Sequence, residues 1–257
     1  MRFAFGKNWQ SYSQRAITPE RIEQARRGFA ELLGDIKLSG KRFIDIGFGQ
    51  GLSVTIAAEM GADALGIDID DDNVAAVKAT QQAMNCAKPP ETRVASILDQ
   101  DFVEAHEGAF DIVHSWGVLH HTGNMKQAMK NACSLVNPGG YFICAIYNRH
   151  WSSGPWVAIK WLYCALPSFL QRLMILLVYP VIYVAKWIVT RENPKNKERG
   201  MDFMHDVVDW VGGYPYEYAN VAEMQKMVGD LGLTCLRTVD AEVPTGCNEF
   251  VFQKPLV

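Results

Sequence analysis

The chain has 257 residues and a formal net charge of -3 at pH 7, with 49% hydrophobic and 21% charged residues. This length and composition predict one α/β domain with an insertion and a large buried core. The slightly acidic balance and the lack of a basic run argue against nucleic acid as the main partner. Six scattered cysteines without a C-x-x-C pair, and no apolar signal-peptide core at the N-terminus, predict reduced thiols in a cytoplasmic protein.

The first predicted helix follows an aromatic opening segment, FGKNWQSY, at residues 5–12. Thr18 is a suitable cap for a helix, and Pro19 suits its first turn. The pattern predicts a helix that runs to Leu33 and ends at Gly34.

A strand, a glycine loop, a helix and a second strand follow in that order. Residues 43–46 form an apolar run that is interrupted by Asp45 and is too short for a helix. Glycines then alternate in Gly47-Phe48-Gly49-Gln50-Gly51, where a backbone without Cβ atoms can turn sharply and approach a ligand closely. Residues 52–60 predict a helix, and the strand after it ends in Asp68. This order is half of a doubly wound nucleotide-binding sheet.

The spacing and charge of the loop indicate which nucleotide would bind. A dinucleotide fingerprint is G-x-G-x-x-G, whereas the spacing here is G-x-G-x-G. Asp45 precedes the loop and would repel a pyrophosphate, but it suits a ligand with a positive charge, such as an ammonium or a sulfonium. Asp68 is placed to accept both hydroxyls of a ribose. The alternative is an ordinary tight turn with Asp45 as a surface residue.

These residues resemble motif I and the acidic loop of the class I S-adenosylmethionine-dependent methyltransferases, and the resemblance covers about residues 40–147. It implies a doubly wound, Rossmann-like α/β fold: a seven-stranded sheet with helices on both faces, plus a mostly helical apolar insertion. The implied cofactor is S-adenosyl-L-methionine, with S-adenosyl-L-homocysteine as the product. The cofactor-binding residues that follow from the resemblance are Asp45, Gly47, Gly49, Gly51, Asp68, Ile69, Leu98, Asp99, Ser115 and Trp116.

The N-terminal residues 1–39 are expected to form a helical lid, because small-molecule members of the family often fold a similar aromatic segment over the cofactor or substrate. Trp9 and Tyr12 are therefore candidate substrate contacts. Packing of both rings against the first helix is an equally suitable role.

The remaining elements of the core continue the alternation of helix and strand up to residue 147. Periodicity and turn residues predict a helix over 73–84, strands over 92–98 and 110–115, a helix over 125–136 capped by Asn124, a stop at Asn137-Pro138-Gly139-Gly140, and a fifth strand over 141–147. The resemblance assigns the binding of adenine to the end of the third strand, at Leu98 and Asp99.

Two adjacent histidines follow the fourth predicted strand, in the sequence WGVLHHT at residues 116–122. Ligands bind outside the carboxyl ends of strands in such sheets, so either imidazole could take a proton from a bound hydroxyl. We expect His120 slightly ahead of His121. A capping role or a bond to a backbone carbonyl is the alternative. No metal site is predicted, because no set of three or four ligands is apparent.

An insertion over residues 148–219 should decide the substrate. Its segment 156–190 is aromatic at first and then strongly apolar. Thirteen uncharged residues separate Arg172 from Lys186, which is short of the roughly 20 that a membrane span needs, and Pro180 interrupts them. The segment could form an apolar lid, a homodimer interface or a peripheral membrane contact.

A polar and aromatic segment ends the insertion, at residues 201–217. It resembles a segment found in a set of bacterial methyltransferases, but it does not fix a substrate. His205 and Asp206 are the second candidates for a base, with Asp206 also a candidate substrate contact. Tyr214, Tyr216 and Glu217 are candidates for the substrate pocket, and structural roles suit most of these residues equally well.

Residues 220–257 are predicted to complete the sheet. Asn220 and Glu223 form a capping-box start for a helix, and two strands follow. By resemblance, the last strand is antiparallel.

The function that these patterns favour is methyl transfer to a small, lipophilic or aromatic acceptor. We expect an in-line, metal-independent displacement with oxygen as the favoured target and a histidine that removes its proton. The alternatives are a protein, peptide or N-methyltransferase, and a catalytically silent S-adenosylmethionine-binding protein.

Overall fold

Seven strands form one sheet in the computed structural model, which describes residues 3, 5–15, 17–194 and 202–256. The strand order is β3-β2-β1-β4-β5-β7-β6, and β7 is antiparallel to both of its neighbours while the other pairs are parallel. The strands are β1 (Arg42–Ile46), β2 (Asp63–Asp68), β3 (Glu91–Val94), β4 (Phe110–Trp116), β5 (Val136–Tyr147), β6 (Thr234–Val239) and β7 (Cys247–Gln253). The expected Rossmann-like sheet and its antiparallel last strand are confirmed.

Helices surround the sheet and form the insertion. They are α1 (Phe5–Arg15), α2 (Pro19–Leu33), α3 (Leu52–Glu59), α4 (Asp72–Ala83), α5 (Gln100–Ala105), α6 (Met125–Leu135), α7 (Ser153–Ala165), α8 (Ser168–Thr190), α9 (Phe203–Gly212) and α10 (Val221–Gly229). The Thr18 cap of α2 and the capping box of α10 are present as predicted. Residues 195–201, which include the first residue of the predicted polar and aromatic segment at 201–217, lie outside the described residues.

Alternating side chains along the strands build one core on each face of the sheet. Phe43 of β1 belongs to the core formed with α2, α3 and α4, whereas its neighbour Ile44 belongs to the core formed with α5, α6 and α10. Ile112 and Val113 of β4 divide in the same way. Burial on both faces explains why the central strands are almost continuously apolar.

Helices α7, α8 and α9 form a third, smaller core. Tyr163 of α7, Ile175 of α8 and Val207 of α9 are buried in it. Tyr179 of α8 also meets Phe203 of α9 edge to face, with the ring centroids 5.2 Å apart. One face of α8 is therefore held against α9, and the insertion is mostly helical as expected.

Helix α8 is longer than the sequence indicated. It runs for 23 residues, through Pro180 and past both Arg172 and Lys186. The prediction that this segment is too short for a membrane span was wrong, since α8 alone among the described helices is long and apolar enough by length and composition. Pro180 and Leu176 lie on the exposed side of α8, where water can bond the carbonyl group that a proline leaves without a donor.

Two strand boundaries were predicted wrongly because hydrogen bonds, one local and one to the C-terminal segment, override the apolar pattern. β3 ends at Val94 rather than residue 98, since the Ser96 hydroxyl accepts the Leu98 N–H at 3.1 Å and turns the chain. β5 begins at Val136 rather than residue 141. Its turn residues are held by the C-terminal segment, where the Lys254 N–H donates to the Gly140 carbonyl at 2.9 Å.

No individual helix was predicted at the positions of α1, α5 and α9, although a helical lid and a mostly helical insertion were expected around α1 and α9. α5 and α9 begin at Asp99 and Asp202, whose side chains accept backbone N–H groups of the first turn. α1 is tied down over a long distance in sequence, by a 2.8 Å hydrogen bond from the Gly6 N–H to the Asp70 carboxylate. α5 has only six residues, too few for a helical period to show. α9 buries Phe203, Val207 and Val211 at helical spacing, so its period was present in the sequence and was missed.

Replacement of Gly51 by Ala should destabilise the fold more than replacement of Gly108. Both glycines have positive φ angles, of 80° and 60°, where an L-residue is strained by roughly 1–2 kcal/mol. A Cβ atom at Gly51 would also lie 2.2 Å from Val77 Cγ2, whereas Gly108 has open space. We expect urea unfolding to show losses of about 3 kcal/mol for Gly51→Ala and about 1 kcal/mol for Gly108→Ala. Equal losses would contradict the close approach to Val77.

Candidate active site

A cavity of about 920 Å³ opens at the carboxyl ends of the parallel strands. Ile46, Asp68 and Trp116, the last residues of β1, β2 and β4, line it. Its other walls come from α1, α2, α8 and α9 and from the loop between β6 and β7. Open α/β sheets bind their ligands at this position.

The glycine loop between β1 and α3 forms part of the cavity wall. Gly47, Gly49 and Gly51 all have positive φ angles, and Gly47 and Gly49 line the cavity, whereas Gly51 packs behind it against α4. The indole of Trp9 lies over Gly49, since a Cβ atom there would be 3.3 Å from its Nε1 atom. Only glycine leaves both the turn and the covering ring in place.

Asp68 presents a buried carboxylate to the cavity. One of its oxygens accepts the Gly49 N–H and the other accepts the Asp70 N–H, each at 3.0 Å. Burial raises the pKa of Asp68, and the two backbone donors oppose that effect. A carboxylate oxygen can accept more than one hydrogen bond, so Asp68 can still take donors from a ligand.

Asp45 also lines the cavity. Its carboxylate contacts a buried histidine that the sequence did not single out. Its Oδ1 atom lies 2.7 Å from Nδ1 of His114 on β4, and both side chains are buried. His114 is stacked on Phe43, with centroids 5.8 Å apart. Asp45 is therefore held in a fixed position by a neighbouring strand rather than only by a ligand.

The segment after β3 contributes apolar and backbone groups. Ile69, Ala95, Ser96, Ile97 and Leu98 line the cavity. Asp99 is not among the lining residues, and its side chain caps α5 by accepting the Asp101 N–H at 3.1 Å. Leu98 and Ile69 thus line the cavity, whereas Asp99 caps α5.

The end of β4 separates two of the predicted cofactor residues. Ser115 is fully buried, and its hydroxyl donates to the Ile46 carbonyl at 3.0 Å. Trp116 lines the cavity and donates its Nε1–H to Glu249 at 3.2 Å. Trp116 thus faces the cavity, and Ser115 holds β4 to β1.

The three candidate histidines occupy different environments. His121 lines the cavity, and its Nδ1 atom lies 2.6 Å from the Pro215 carbonyl oxygen. A carbonyl only accepts, so Nδ1 donates and the neutral ring carries its lone pair on Nε2. His120 is fully buried behind the wall, where burial holds its pKa well below the usual value. His205 is not among the lining residues and pairs with Asp202 at 2.8 Å.

The predicted substrate contacts divide in a similar way. Trp9 and Asp206 line the cavity. Tyr12 is fully buried beside Trp9, where burial raises its pKa to about 12. Neither Tyr214 nor Tyr216 is among the lining residues.

Glu217 was predicted for the pocket and instead holds two elements together. Its carboxylate accepts the Met125 N–H at 2.9 Å, at the start of α6. Burial raises the pKa of Glu217, and the backbone donor at Met125 opposes that effect. The side chain is therefore a cap for α6, outside the cavity lining.

A buried lysine in an aromatic cage lies behind the part of the cavity that Tyr147 and Trp210 line, and the sequence did not indicate it. Lys160 of α7 is fully buried and donates to the Trp210 carbonyl. Its ammonium lies 4.3 Å from the Trp210 ring centroid, 4.6 Å from that of Tyr216 and 5.6 Å from that of Tyr147. Lysine is rarely buried in this way, and cation–π contacts compensate part of the lost hydration.

Asp209 of α9 is a second, partly buried group that the sequence did not indicate. It lines the cavity and accepts a hydrogen bond from the Asn8 side chain at 2.7 Å. Burial raises the pKa of Asp209 well above its ordinary value. The aspartate links α9 to α1, so the wall that they share is fixed by a polar contact as well as by packing.

Known proteins share this arrangement. The family described as a methyltransferase domain matches residues 17–175 of the chain, which include the glycine loop and β1 to β5. The chain belongs to this family. The methyltransferase motifs that the sequence indicated are therefore those of a true member.

Curated relatives of this methyltransferase cover part of its length. A ubiquinone biosynthesis O-methyltransferase of Maricaulis maris (strain MCS10) is 32% identical over 120 residues, which are 46% of this chain and 45% of that protein. A protein of the same name from Methylobacterium sp. (strain 4-46) is 34% identical over 117 residues, again 46% of this chain and 45% of that protein. The chain spans about half the length of the curated relatives it matches.

Solved structures share the fold of this methyltransferase. The magnesium protoporphyrin IX methyltransferase of Synechocystis PCC 6803, with bound SAH, superposes with a TM-score of 0.55 at 17% identity, over 91% of this chain and 83% of that one. An O-methyltransferase family protein from Burkholderia thailandensis gives a TM-score of 0.57 at 15% identity, over 91% of this chain and 57% of that one.

In the described part of this chain, no group of three or more His, Cys, Asp or Glu side chains could hold a metal ion.

Replacement of Lys160 by Met should remove part of the pH dependence of stability. Burial lowers the pKa of Lys160 to about 7, whereas an unfolded lysine titrates near pH 10.4. The unfolded chain binds more protons between these two values, so the free energy of unfolding rises with pH there, by at most about 1.4 kcal/mol per pH unit. Urea unfolding at about pH 7 and about pH 9 should show this rise for the wild type and the exposed control Lys130→Met. An unchanged slope in Lys160→Met would contradict the burial of its charge.

Proposed function

We propose that this methyltransferase binds S-adenosyl-L-methionine at the glycine loop and methylates a small aromatic or lipophilic acceptor, with oxygen as the favoured target. The observation that carries the proposal is the Asp68 carboxylate, which faces the cavity at the end of β2 and is bonded to the glycine loop. A carboxylate in this position suits the two hydroxyls of a ribose. The curated relatives are O-methyltransferases, which supports oxygen as the target.

The residues present fit this cofactor by charge. Among the described residues, the cavity is lined by eleven Asp and Glu side chains and by two Lys and Arg side chains, Lys186 and Arg237. Such a wall favours a cation and disfavours a diphosphate. When bound, S-adenosyl-L-methionine supplies a methyl group activated by a positively charged sulfur.

The cofactor would be held by different parts of the wall. Asp68 would accept the ribose hydroxyls, and Leu98 and Ile97 would pack against the adenine ring. Asp45, fixed by His114, would face the positively charged end of the ligand. Trp9 covers the glycine loop and would exclude water from the bound group.

The acceptor side of the cavity is aromatic and apolar. Its lining rings are Phe3, Phe5, Tyr147, Trp156, Phe203 and Trp210, and α8 adds Ile182 and Val189. Flat rings of this kind pack well against an aromatic or lipophilic acceptor. Asp206 and Asp209 line the same part of the cavity and would orient a hydroxyl group of the acceptor.

His121 is the residue that we propose as the base. The Pro215 carbonyl fixes the tautomer that has its lone pair on Nε2, which is the form that accepts a proton from a hydroxyl. His120, which the sequence placed slightly ahead, lies behind the wall, and His205 pairs with Asp202 outside it. The base would deprotonate the acceptor oxygen as it attacks.

The apolar segment at residues 156–190 contributes to the cavity and to the outer surface. Ile182, Ala185 and Val189 of α8 line the cavity, which supports its proposed role as a lid. A homodimer interface and a peripheral membrane contact are the two candidate roles for the face that remains exposed.

Asp68→Asn should weaken the binding of S-adenosyl-L-homocysteine by about 10-fold to 100-fold, because charged hydrogen bonds to two hydroxyls are lost. Isothermal titration calorimetry measures the affinity. Asp63→Asn, at the exposed opposite end of β2, is the control and should bind as the wild type does. Unchanged affinity in Asp68→Asn, with the fold intact by circular dichroism, would refute the ribose assignment.

His121→Asn should lower kcat by about 100-fold or more and leave the affinity for S-adenosyl-L-homocysteine unchanged, since a general base contributes at least this much. Turnover is measured with a panel of phenols and hydroxyquinones, and the variant should lose the acidic limb of the wild-type pH profile. His205→Asn is the matched control and should retain wild-type turnover. A large loss in the control with none in His121→Asn would move the base to His205.

A further inference from the structure

We propose that the exposed apolar faces of α7 and α8 bind the surface of an anionic phospholipid bilayer and so bring the cavity to acceptors dissolved in the lipid. This lipid-facing surface consists of Trp161 and Leu162 of α7 and of Phe169, Leu173, Leu176, Leu177, Val181, Val184, Trp187 and Ile188 of α8. The part that concerns acceptors rests on the proposed function. The binding of lipid is independent of it.

The stripe on α8 is continuous and open to solvent. Phe169, Leu176, Leu177 and Val181 are between 64% and 71% exposed. Their spacing places them on one side of a helix, which the remaining members extend to Ile188, over about 30 Å. Soluble monomers rarely expose apolar surface of this extent unless it binds something.

The opposite face of α8 shows how the helix would meet a membrane. Tyr179 and Tyr183 contact Phe203 of α9, with ring centroids 5.2 Å and 5.7 Å apart, and Ile175 is buried in the same core. A helix held along its length against a folded domain cannot cross a bilayer without losing these contacts. The geometry points to a helix that lies in the interface with its outer side in the lipid.

Charge distinguishes a lipid surface from a second copy of the chain. The sequence contains 28 Asp and Glu residues, yet none lies between Asp111 and Glu192. Arg172 and Arg191, at either end of the stripe, are exposed. Two copies packed through this face would bring like charges together, whereas anionic headgroups attract them. The exposed Trp161 and Trp187 suit the same boundary, where tryptophan is enriched.

The stripe is adjacent to the cavity. Ile182, Lys186 and Val189 of α8 line the cavity, and Val181 and Ile188, their neighbours in sequence, belong to the lipid-facing surface. The thickness of one helix therefore separates lipid from the proposed acceptor pocket. A lipophilic acceptor would enter without crossing bulk water.

Vesicle co-sedimentation of the full chain tests the proposal. The wild type should bind vesicles of phosphatidylcholine and phosphatidylglycerol in equal parts, and bind pure phosphatidylcholine vesicles at least tenfold less. Leu177→Glu/Val181→Glu should lower binding to the mixed vesicles at least tenfold, because two apolar contacts are replaced by charges. Leu236→Glu, at a 54% exposed position on β6, is the matched control and should bind as the wild type does.

The assay uses neither methyl donor nor acceptor, so its result does not depend on the proposed reaction. Thermal unfolding and S-adenosyl-L-homocysteine affinity should be unchanged in the double variant, which shows that it is folded. Absence of wild-type binding to the mixed vesicles would overturn the proposal. Equal binding of the mixed vesicles by the wild type and the double variant would also overturn it. A third contrary result would be a wild-type dimer in sedimentation equilibrium that the double substitution dissociates, with no binding to vesicles.

Discussion

The close approach of the chain to itself around the glycine loop is the constraint on which the cavity depends. Gly51 packs against Val77 of α4, and Gly49 brings its N–H to the Asp68 carboxylate. Each contact requires backbone where a side chain would collide. The loop therefore joins β1, β2 and α4 into one rigid edge, and the acidic groups that suit a cation are held there by the fold rather than by a ligand.

The insertion supplies the other half of the cavity by a different physical means. Its walls are aromatic, and hydrogen bonds of polar side chains hold them in place. Lys160, which lies in a cage of aromatic rings, donates a hydrogen bond to the Trp210 carbonyl. The Asn8 side chain donates one to Asp209. Buried charges of this kind add little net stability but penalise alternative packings, because an unpaired buried charge is costly. The two halves meet at His121, which follows β4 and is oriented by Pro215.

The sheet and the cofactor side of the cavity could be predicted because their signals are local. Alternate glycines, Asp45 and Asp68 lie within 24 residues, and the apolar strands have the period expected of a parallel sheet. The acceptor side could not be predicted in the same way. Lys160 and Asp209 are defined by contacts with distant elements, and no sequence spacing distinguishes a buried lysine from a solvated one. The same is true of His114 on the cofactor side, whose partner Asp45 lies on another strand. Adjacent histidines likewise do not reveal which ring faces the cavity.

The two ends of the described chain lie near opposite ends of the central strands, which has a practical consequence. Phe3 and Phe5 are part of the aromatic wall, whereas Lys254 pairs with Gly140 near the amino end of β5. Leu256, just beyond that pairing, is exposed. A purification tag or an immobilisation handle attached close to Phe3 would lie beside the pocket, so a handle attached close to Leu256 suits surface-based assays better.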